Sequence, residues 1–303
     1  MMQHIPPPPQ AAPKEFTFSD HDFQMISELA NARYGLFLQP SKKALVHSRL
    51  AKRLRALNLA TFEDYCILLN KSEGEAERPH LLSALTTNVT HFFREIHHFD
   101  FLKDVLMPQL LDKAQSGNPI RLWSSACSSG QEAYSIAAAL VAAAPKVSQY
   151  DIKVLATDID PQVIQTAKAA VYPTEFIATI PPAWRDLLTG TTRPRGSEFE
   201  INSDLRKLVS FGELNLIADW PMQRKFDVIF CRNAAIYFDK TTQARLWRRF
   251  ADVMVDGGHL MIGHSERLSG PAEALFKSVG ITTYKKVTGH GTGTKTIDKG
   301  DEN

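Results

Sequence analysis

Three short stretches end in residue types able to hold a small polar ligand: "SSACSSGQE" (124–132), "TDID" (157–160) and "CRNAAIYFD" (231–239). In the first, the small residues from Ser124 to Gly130 let backbone approach a ligand closely, and a helix starting behind them presents an electropositive N-terminus. In the second, Asp158 stands where a carboxylate accepts hydrogen bonds from ribose hydroxyls. In the third, Arg232 offers a fork of donors and Asn233 an amide, with Tyr237 soon after. Together they suit a nucleoside cofactor. A dinucleotide suits them less, because the loop lacks a complete G-x-G-x-x-G and no Arg or Lys stands beside Gly130 to meet a pyrophosphate. S-adenosylmethionine carries ribose and adenine without phosphate. The plainer alternatives make Asp158 a helix N-cap and Asn233 a turn residue.

A fourth stretch, "LTTNVTHFFRE" (85–95), sets Val89, Phe92, Phe93 and Ile96 at the spacing of one apolar helical stripe. On that helix Thr90 and Arg94 share another face, with Asn88 just before them, facing either a ligand or water. His91, His97, His98 and His264 have no convincing metal spacing, so no metal is expected.

The elements that must position these residues follow from periodicity. "IRLWSS" (120–125), "IKVLATD" (152–158), "FDVIFCRN" (226–233) and "GGHLMIGHSE" (257–266) read as strands. They alternate with the helical runs "QEAYSIAAALVAAA", "PQVIQTAKAAV" and "TTQARLWRRFADVM". That alternation predicts a mainly parallel sheet covered on both faces, with ligands outside the carboxyl ends of its strands. Between residues 171 and 208 the alternation fails. An inserted subdomain is expected there, with short strands at "EFEIN" and "KLVSF". Residues 18–99 read as a small all-helical domain and 100–288 as the α/β domain, between a Pro-rich tail (1–17) and a Gly/Thr/Lys-rich tail (289–303), both expected to be disordered.

A chain of 303 residues with Lys plus Arg at 35 against 33 for Asp plus Glu has no global charge pointing to nucleic acid. Three cysteines without metal spacing, no secretory pattern and no long apolar run imply a reduced, cytoplasmic compartment and no membrane insertion. One stretch is locally basic. "KKALVHSRLAKRLRAL" (42–57) puts Arg49, Lys52 and Arg53 on one helical face opposite Val46, Leu50, Leu54 and Leu57, either a solvated face or a partner surface.

"TTNVTHFFRE", "LWSSACSSGQEAYSIA", "ATDID", "FGELNL", "FDVIFCRNAAIYFD" and "IGHSE", in this order, resemble the chemotaxis receptor methyltransferases of the CheR family from about Phe18 to Tyr284. The resemblance implies an all-α N-terminal domain and a Rossmann-like S-adenosylmethionine-dependent methyltransferase domain with an inserted small antiparallel β-subdomain. It implies methyl transfer to glutamate side chains of methyl-accepting chemotaxis receptors, giving glutamyl methyl esters and S-adenosylhomocysteine. By position it places Asn88, Thr90 and Arg94 at the methionine end of the cofactor and the transfer site, and Glu132 on the methionine ammonium. It places Asp158 on the ribose, Asn215 and Leu216 at the adenine end, and Arg232 and Asn233 along the pocket. Arg94 and Tyr237 become the catalytic pair. Alanine stands at 126, 234 and 235 where bulkier or different residues are frequent in the family, and none of these removes a group the chemistry needs.

The same resemblance turns Arg49, Lys52 and Arg53 into a docking face for acidic receptor helices. The segment "TGTTRPRGSEFE", with Arg193, Pro194 and Arg195, lacks the pattern with which some members hold a receptor's C-terminal peptide, so a tether-independent enzyme is expected. Two rivals remain at this level: a non-catalytic scaffold that keeps the fold, and a nicotinamide-dependent oxidoreductase, which requires the missing glycine triplet.

Overall fold

The computed structural model describes residues 16–190 and 196–287. Arg193 to Arg195 and most of both tails lie outside the described residues. The chain divides into two compact units, one comprising Leu38–Thr86 with the residues up to Arg33, the other running from Thr87 onward with Tyr34–Phe37.

In the first unit, α1 (Asp20–Tyr34), α2 (Lys43–Ala56), α3 (Phe62–Asn70) and α4 (Arg78–Leu85) each bury one stripe. Phe23, Ile26 and Ala30 of α1, Val46, Leu50 and Leu54 of α2, Phe62, Tyr65 and Leu69 of α3 and Leu81, Leu82 and Leu85 of α4 form its interior. Their i, i+3, i+4 spacing is what places them there. At the start of α3, Thr61 and Asp64 bond each other's backbone N–H reciprocally, a capping box that satisfies two otherwise orphaned donors.

The unit ends at Thr86 and not near residue 99 as the sequence predicts. Residues 86–96 form no regular helix, and Phe93 and Glu95 take left-handed backbone angles of φ 54° and 55°. The predicted stripe therefore splits. Phe92 and Phe93 are buried in the core of the second unit, whereas Val89 is 73% exposed and Ile96 38%. Both consecutive aromatics, Phe92 and Phe93, enter one core, and the chain around them takes two positive-φ angles in place of a helix.

The second unit opens with α5 (His97–Phe101), a π turn (Leu102–Leu106) and α6 (Met107–Gln115). Strands β1 (Ile120–Ser124) and β2 (Ile152–Asp158) follow, separated by α7 (Gln131–Ala143), and α8 (Pro161–Ala169) comes after β2. The insert holds β3 (Val171–Pro173), α9 (Glu175–Thr179), α10 (Pro182–Thr189) and β4 (Glu198–Glu200). After it come α11 (Ser203–Arg206), β5 (Val209–Glu213), β6 (Phe226–Cys231), α12 (Lys240–Val253), β7 (Met254–Ile262), β8 (Phe276–Gly280) and β9 (Thr283–Lys286).

The main sheet runs β5-β2-β1-β6-β7-β9-β8. Its first five strands are parallel, with β9 antiparallel to both neighbours. All six residues of β6 are buried, as expected of a strand covered on both faces. Sequence order reverses between β1 and β6, so the carboxyl ends of β1, β2 and β6 border the crevice where such sheets take ligands.

The insert is smaller than predicted. Among the described residues, only β3 and β4 pair in it, Val171 opposite Glu200 and Tyr172 opposite Phe199, with two short helices between them. "KLVSF" is not part of it: β5 pairs in parallel with β2, Val154 opposite Val209, and forms the edge of the main sheet. A five-residue strand gives no local sign of the sheet it joins, because both pairings need the same alternation.

Candidate active site

The three strand ends come together as a hydrogen-bonded network. After β1, residues 125–130 turn sharply, with Ser128 at φ 48° and Gly130 at φ 96°. A Cβ on Gly130 would lie 2.9 Å from both Ala167 Cβ and the Tyr172 hydroxyl, so glycine is required for conformation and for space. The turn aims the Ser128 N–H at Asp158 Oδ2, 2.8 Å away, while Asp160 N–H donates to Asp158 Oδ1 at 3.1 Å. Burial pushes the Asp158 carboxyl above its usual range, against the pull of these amides. Each oxygen thus keeps lone pairs for further donors. The N-cap of α8 is Asp160, whose Oδ1 accepts from Gln162 N–H, and not Asp158. The capping alternative for Asp158 is thereby removed.

Asn88 joins the same cluster, its Nδ2 donating to Asp160 Oδ2 at 3.0 Å and its carbonyl accepting from Ser128 Oγ at 3.2 Å. Thr90 lies half-buried beside it in sequence. Past β5, the Leu214 N–H donates to the Asp158 carbonyl at 2.9 Å, which brings Asn215 and Leu216 to the end of β2. Asn215 Oδ1 accepts from Ile217 N–H, and Leu216 is buried.

A second cluster surrounds Arg232, which is buried at the end of β6. Its Nη1 donates to Glu132 Oε2 at 2.8 Å, and Glu132 Oε1 accepts from Ser124 Oγ at 2.6 Å. Its Nη2 donates to the Arg94 carbonyl and lies 3.4 Å from Glu95 Oε2. Glu132, assigned by resemblance to an ammonium group, is thus already held by Ser124 and Arg232. The Nε of Arg232 has no hydrogen-bond partner although it is buried. A ligand carboxylate is a natural acceptor for it. Arg94 is half-buried and turns its Nη1 back to the Val89 carbonyl at 3.1 Å. Because residues 86–96 are not helical, Thr90 and Arg94 do not share a helical face. What brings Arg94 to the strand ends is the bond from Arg232 to its carbonyl.

Glu95 is a site residue that the spacing did not reveal. Burial raises its carboxyl, but the His264 ring at 2.7 Å and the Arg232 guanidinium outweigh that and hold it down at about 2. Burial, then the positive charge of Arg232, drives His98 down to about 3, so its ring is neutral. Glu95, His97 and His98 are the group among the described residues that lies close enough for a metal ion. The Arg232 guanidinium already lies 3.4 Å from Glu95 Oε2, and Glu95 Oε1 already accepts from His264. Cys127 and Cys231 are buried in this region, and burial pushes their thiols well above the usual value.

Asn233 stands at φ 57°, so the turn-residue reading holds for its backbone while its side chain stays at the strand end. A single 3₁₀ turn, Ala235–Tyr237, carries Tyr237, whose Oη donates to the Thr87 carbonyl at 3.5 Å. Four non-glycine residues near these strand ends, Phe93, Glu95, Ser128 and Asn233, adopt left-handed angles. Such conformations persist where surrounding contacts over-determine them, as at ligand sites.

The predicted basic face is a different matter. Arg53 makes a two-pronged ion pair with Glu77, at 2.8 and 2.6 Å, and Tyr65 Oη donates to the same carboxylate at 2.9 Å. Arg49 Nη1 donates to the carbonyls of Ala84, Leu85 and Thr86, which end α4. Only Lys52 of the three is exposed, beside the exposed Lys42 and Arg55.

A sheet of this order with small residues after β1 and an acid after β2 defines an α/β domain that binds a nucleoside cofactor. Residues 88–285 match the model for the S-adenosylmethionine-binding domain of CheR methyltransferases, and residues 21–86 match that family's all-alpha domain. The chain is 48% identical to a probable chemotaxis protein methyltransferase of Rhizobium etli, over 84% of this chain and 95% of that protein. It is 40% identical to chemotaxis protein methyltransferase 2 of Pseudomonas aeruginosa (92% and 97% covered), and 38% identical to the chemotaxis protein methyltransferase of Escherichia coli (89% and 92%). The chain belongs to the CheR methyltransferase family. It is an S-adenosylmethionine-dependent methyltransferase, and the nicotinamide alternative falls. No helix among the described residues is long and apolar enough to cross a membrane.

Proposed function

We propose that this protein methylates glutamate side chains of methyl-accepting chemotaxis receptors in the cytoplasm, releasing S-adenosylhomocysteine. The observation that carries the reading is the hydrogen bonding of Asn88 and Asp158 at the ends of β1 and β2, and of Glu132 and the Arg94 carbonyl to Arg232 at the end of β6, in a chain 48% identical to a probable chemotaxis protein methyltransferase.

The bound cofactor supplies a methyl group on a sulfonium, open to in-line displacement. A glutamate carboxylate, with an ordinary pKa of about 4.3, is already ionised at neutral pH and needs no general base. The protein therefore has to desolvate and aim it, and orientation alone contributes on the order of 7–11 kcal/mol. Asp158 receives the ribose hydroxyls, with Asn215 and Leu216 bordering the adenine. Arg232, through its free Nε–H, and the Asn88 and Thr90 segment frame the methionine end. Arg94 orients the incoming carboxylate through the planar fork of its guanidinium donors. Tyr237 bounds the transfer site, its ring set by the contact with the Thr87 carbonyl. Charge is neutralised as the transition state forms, so a tight Arg94 pair would favour the ground state, and Arg94 acts by position.

Receptor docking is assigned to the exposed cations Lys42, Lys52 and Arg55 of the helical unit, with Arg49 and Arg53 holding the frame beneath them. The experiment is methyl transfer from radiolabelled S-adenosylmethionine to a purified receptor cytoplasmic fragment, followed by alkaline treatment. Volatile base-labile label lost when the receptor glutamates are changed to glutamine supports the reading. Label retained in base, or on the receptor without those glutamates, overturns it.

A further inference from the structure

Glu266 lies in the turn after β7 and is 3% exposed. Its carboxylate accepts four backbone N–H groups: Gly263 at 2.6 Å and Asn233 at 3.0 Å on Oε2, Ala234 at 3.0 Å and Ala235 at 2.8 Å on Oε1. A carboxylate has about four lone-pair sites, so this one is saturated by its own chain and free to bind nothing else. Three of the donors are consecutive residues. Their N–H groups converge only because Asn233 turns the chain at φ 57°.

An independent feature of the same place is Gly263. A Cβ there would lie 2.9 Å from Asn233 N, 2.8 Å from Asn233 Nδ2 and 2.9 Å from Glu266 Oε2. The β7 end is thus fitted to the Asn233 turn from two directions, by an acceptor and by a missing side chain. The last captured amide, that of Ala235, opens the 3₁₀ turn bearing Tyr237. Gln243 fastens its other side, donating to the carbonyls of Ala235 and Phe238 at 2.9 and 3.0 Å.

We propose that Glu266 is a positioning residue for methyl transfer, its buried carboxylate fixing the turn that sets the Asn233 amide and the Tyr237 phenol at the cofactor crevice. This rests on the role given to Asn233 and Tyr237 above. Glutamine cannot replace it, because one of the two oxygens becomes an NH₂ that faces N–H donors and leaves them unsatisfied.

The test uses the full chain carrying Glu266→Gln, with Gly263→Ala as a second entry into the same turn. Amide hydrogen exchange is measured with methyl transfer at saturating cofactor and S-adenosylhomocysteine affinity by calorimetry. Exchange is expected to rise at residues 233–237 while the amides of β1 and β2 keep their protection. Turnover at saturating cofactor is expected to fall by about 10-fold or more, beyond the loss in affinity. Wild-type turnover in Glu266→Gln, or unchanged exchange at 233–237, overturns the proposal. So does exchange that rises equally in β1 and β2, which marks an ordinary core residue. If Glu266→Gln does not fold, Gly263→Ala decides by the same local signature. A wild-type protein that transfers no methyl group defeats the assigned function instead, and the exchange pattern still tests the turn.

Discussion

Arginine is used in opposite ways in the two units. In the helical unit Arg53 and Arg49 close the structure: one neutralises the buried Glu77, the other satisfies the carbonyls that end α4. In the sheet unit Arg232 is buried more deeply, yet it gathers Glu132, Glu95 and the Arg94 carbonyl at a strand end and keeps one donor unpartnered. Both sets look alike in sequence, as cations among apolar residues. The difference lies in where the partners are. An arginine whose partners complete a helix end serves the fold, and one whose partners line a crevice at reversed strand order has chemistry available to it.

That contrast breaks most sharply at Arg94. Arg94→Ala is expected to cut methyl transfer by about 100-fold or more, as loss of an orienting group does, with S-adenosylhomocysteine affinity changed far less. Near-normal turnover with receptor would return Arg94 to the surface. In the helical unit the matching change, Arg53→Ala, is expected to act on stability. It leaves a buried carboxylate unpaired, which costs about 3–5 kcal/mol. Denaturant unfolding should show this loss in Arg53→Ala, and Arg53→Ala/Glu77→Gln should recover part of it. An unchanged midpoint would show that the pair contributes nothing.

Asp158→Ala is expected to weaken cofactor binding by about 1.5–3 kcal/mol, the range for a hydrogen bond to a charged group. Calorimetric titration with S-adenosylhomocysteine measures it, and equal affinity would remove Asp158 from the ribose.

The neutral His98, faced by Glu95, His97 and Arg232, links the site to pH. Its folded value of about 3 lies below the usual 6.5, so below 6.5 the unfolded chain takes a proton that the folded chain refuses. Stability is therefore full above 6.5 and falls as pH drops toward 3, by at most about 1.4 kcal/mol per unit from this group. His259, held at about 4, acts in the same sense, while the raised carboxyls of Asp158 and Glu266 act in the opposite one. Comparing His98→Asn with wild type isolates the His98 part. Its melting temperature should decline less between pH 7 and 5, and parallel curves would refute the assignment.

The smallest effect belongs to the exposed cations. Lys52→Glu with Arg55→Glu should lower activity on receptor a few-fold at low salt, leave cofactor affinity intact, and lose its effect near 1 M salt, where the Debye length is about 3 Å. Reversal of Arg53 is a poor test of docking, because it would disrupt the Glu77 pair. Wild-type activity of the Lys52/Arg55 variant at low salt would make this face merely solvated.

The alternation of strands and helices, the small residues after β1 and the acid ending β2 were all legible in sequence. Each depends on local periodicity or on a residue type at an element's end, and the family motifs brought Arg94, Glu132 and Asn233 onto the same list. Other features were not legible. The stretch 88–96 has helical spacing, yet its positive-φ residues Phe93 and Glu95 deliver Phe92 and Phe93 to another core. "KLVSF" alternates as any strand does, and only its pairing with β2 shows that it extends the main sheet. Asp160 before Pro161 had a local signal as an N-cap, whereas Glu95 and Glu266 had none, since their partners lie far along the chain. By itself the sequence determined the alternation of strands and helices in the sheet unit and which side chains could meet a nucleoside, because those follow from spacing and chemical type. Which arginine holds a helix end and which reaches the crevice was decided only in three dimensions. A buried charge is defined by the partner it finds, and Glu77 and Glu132 are brought to Arg53 and Arg232 by packing across 24 and 100 residues of chain.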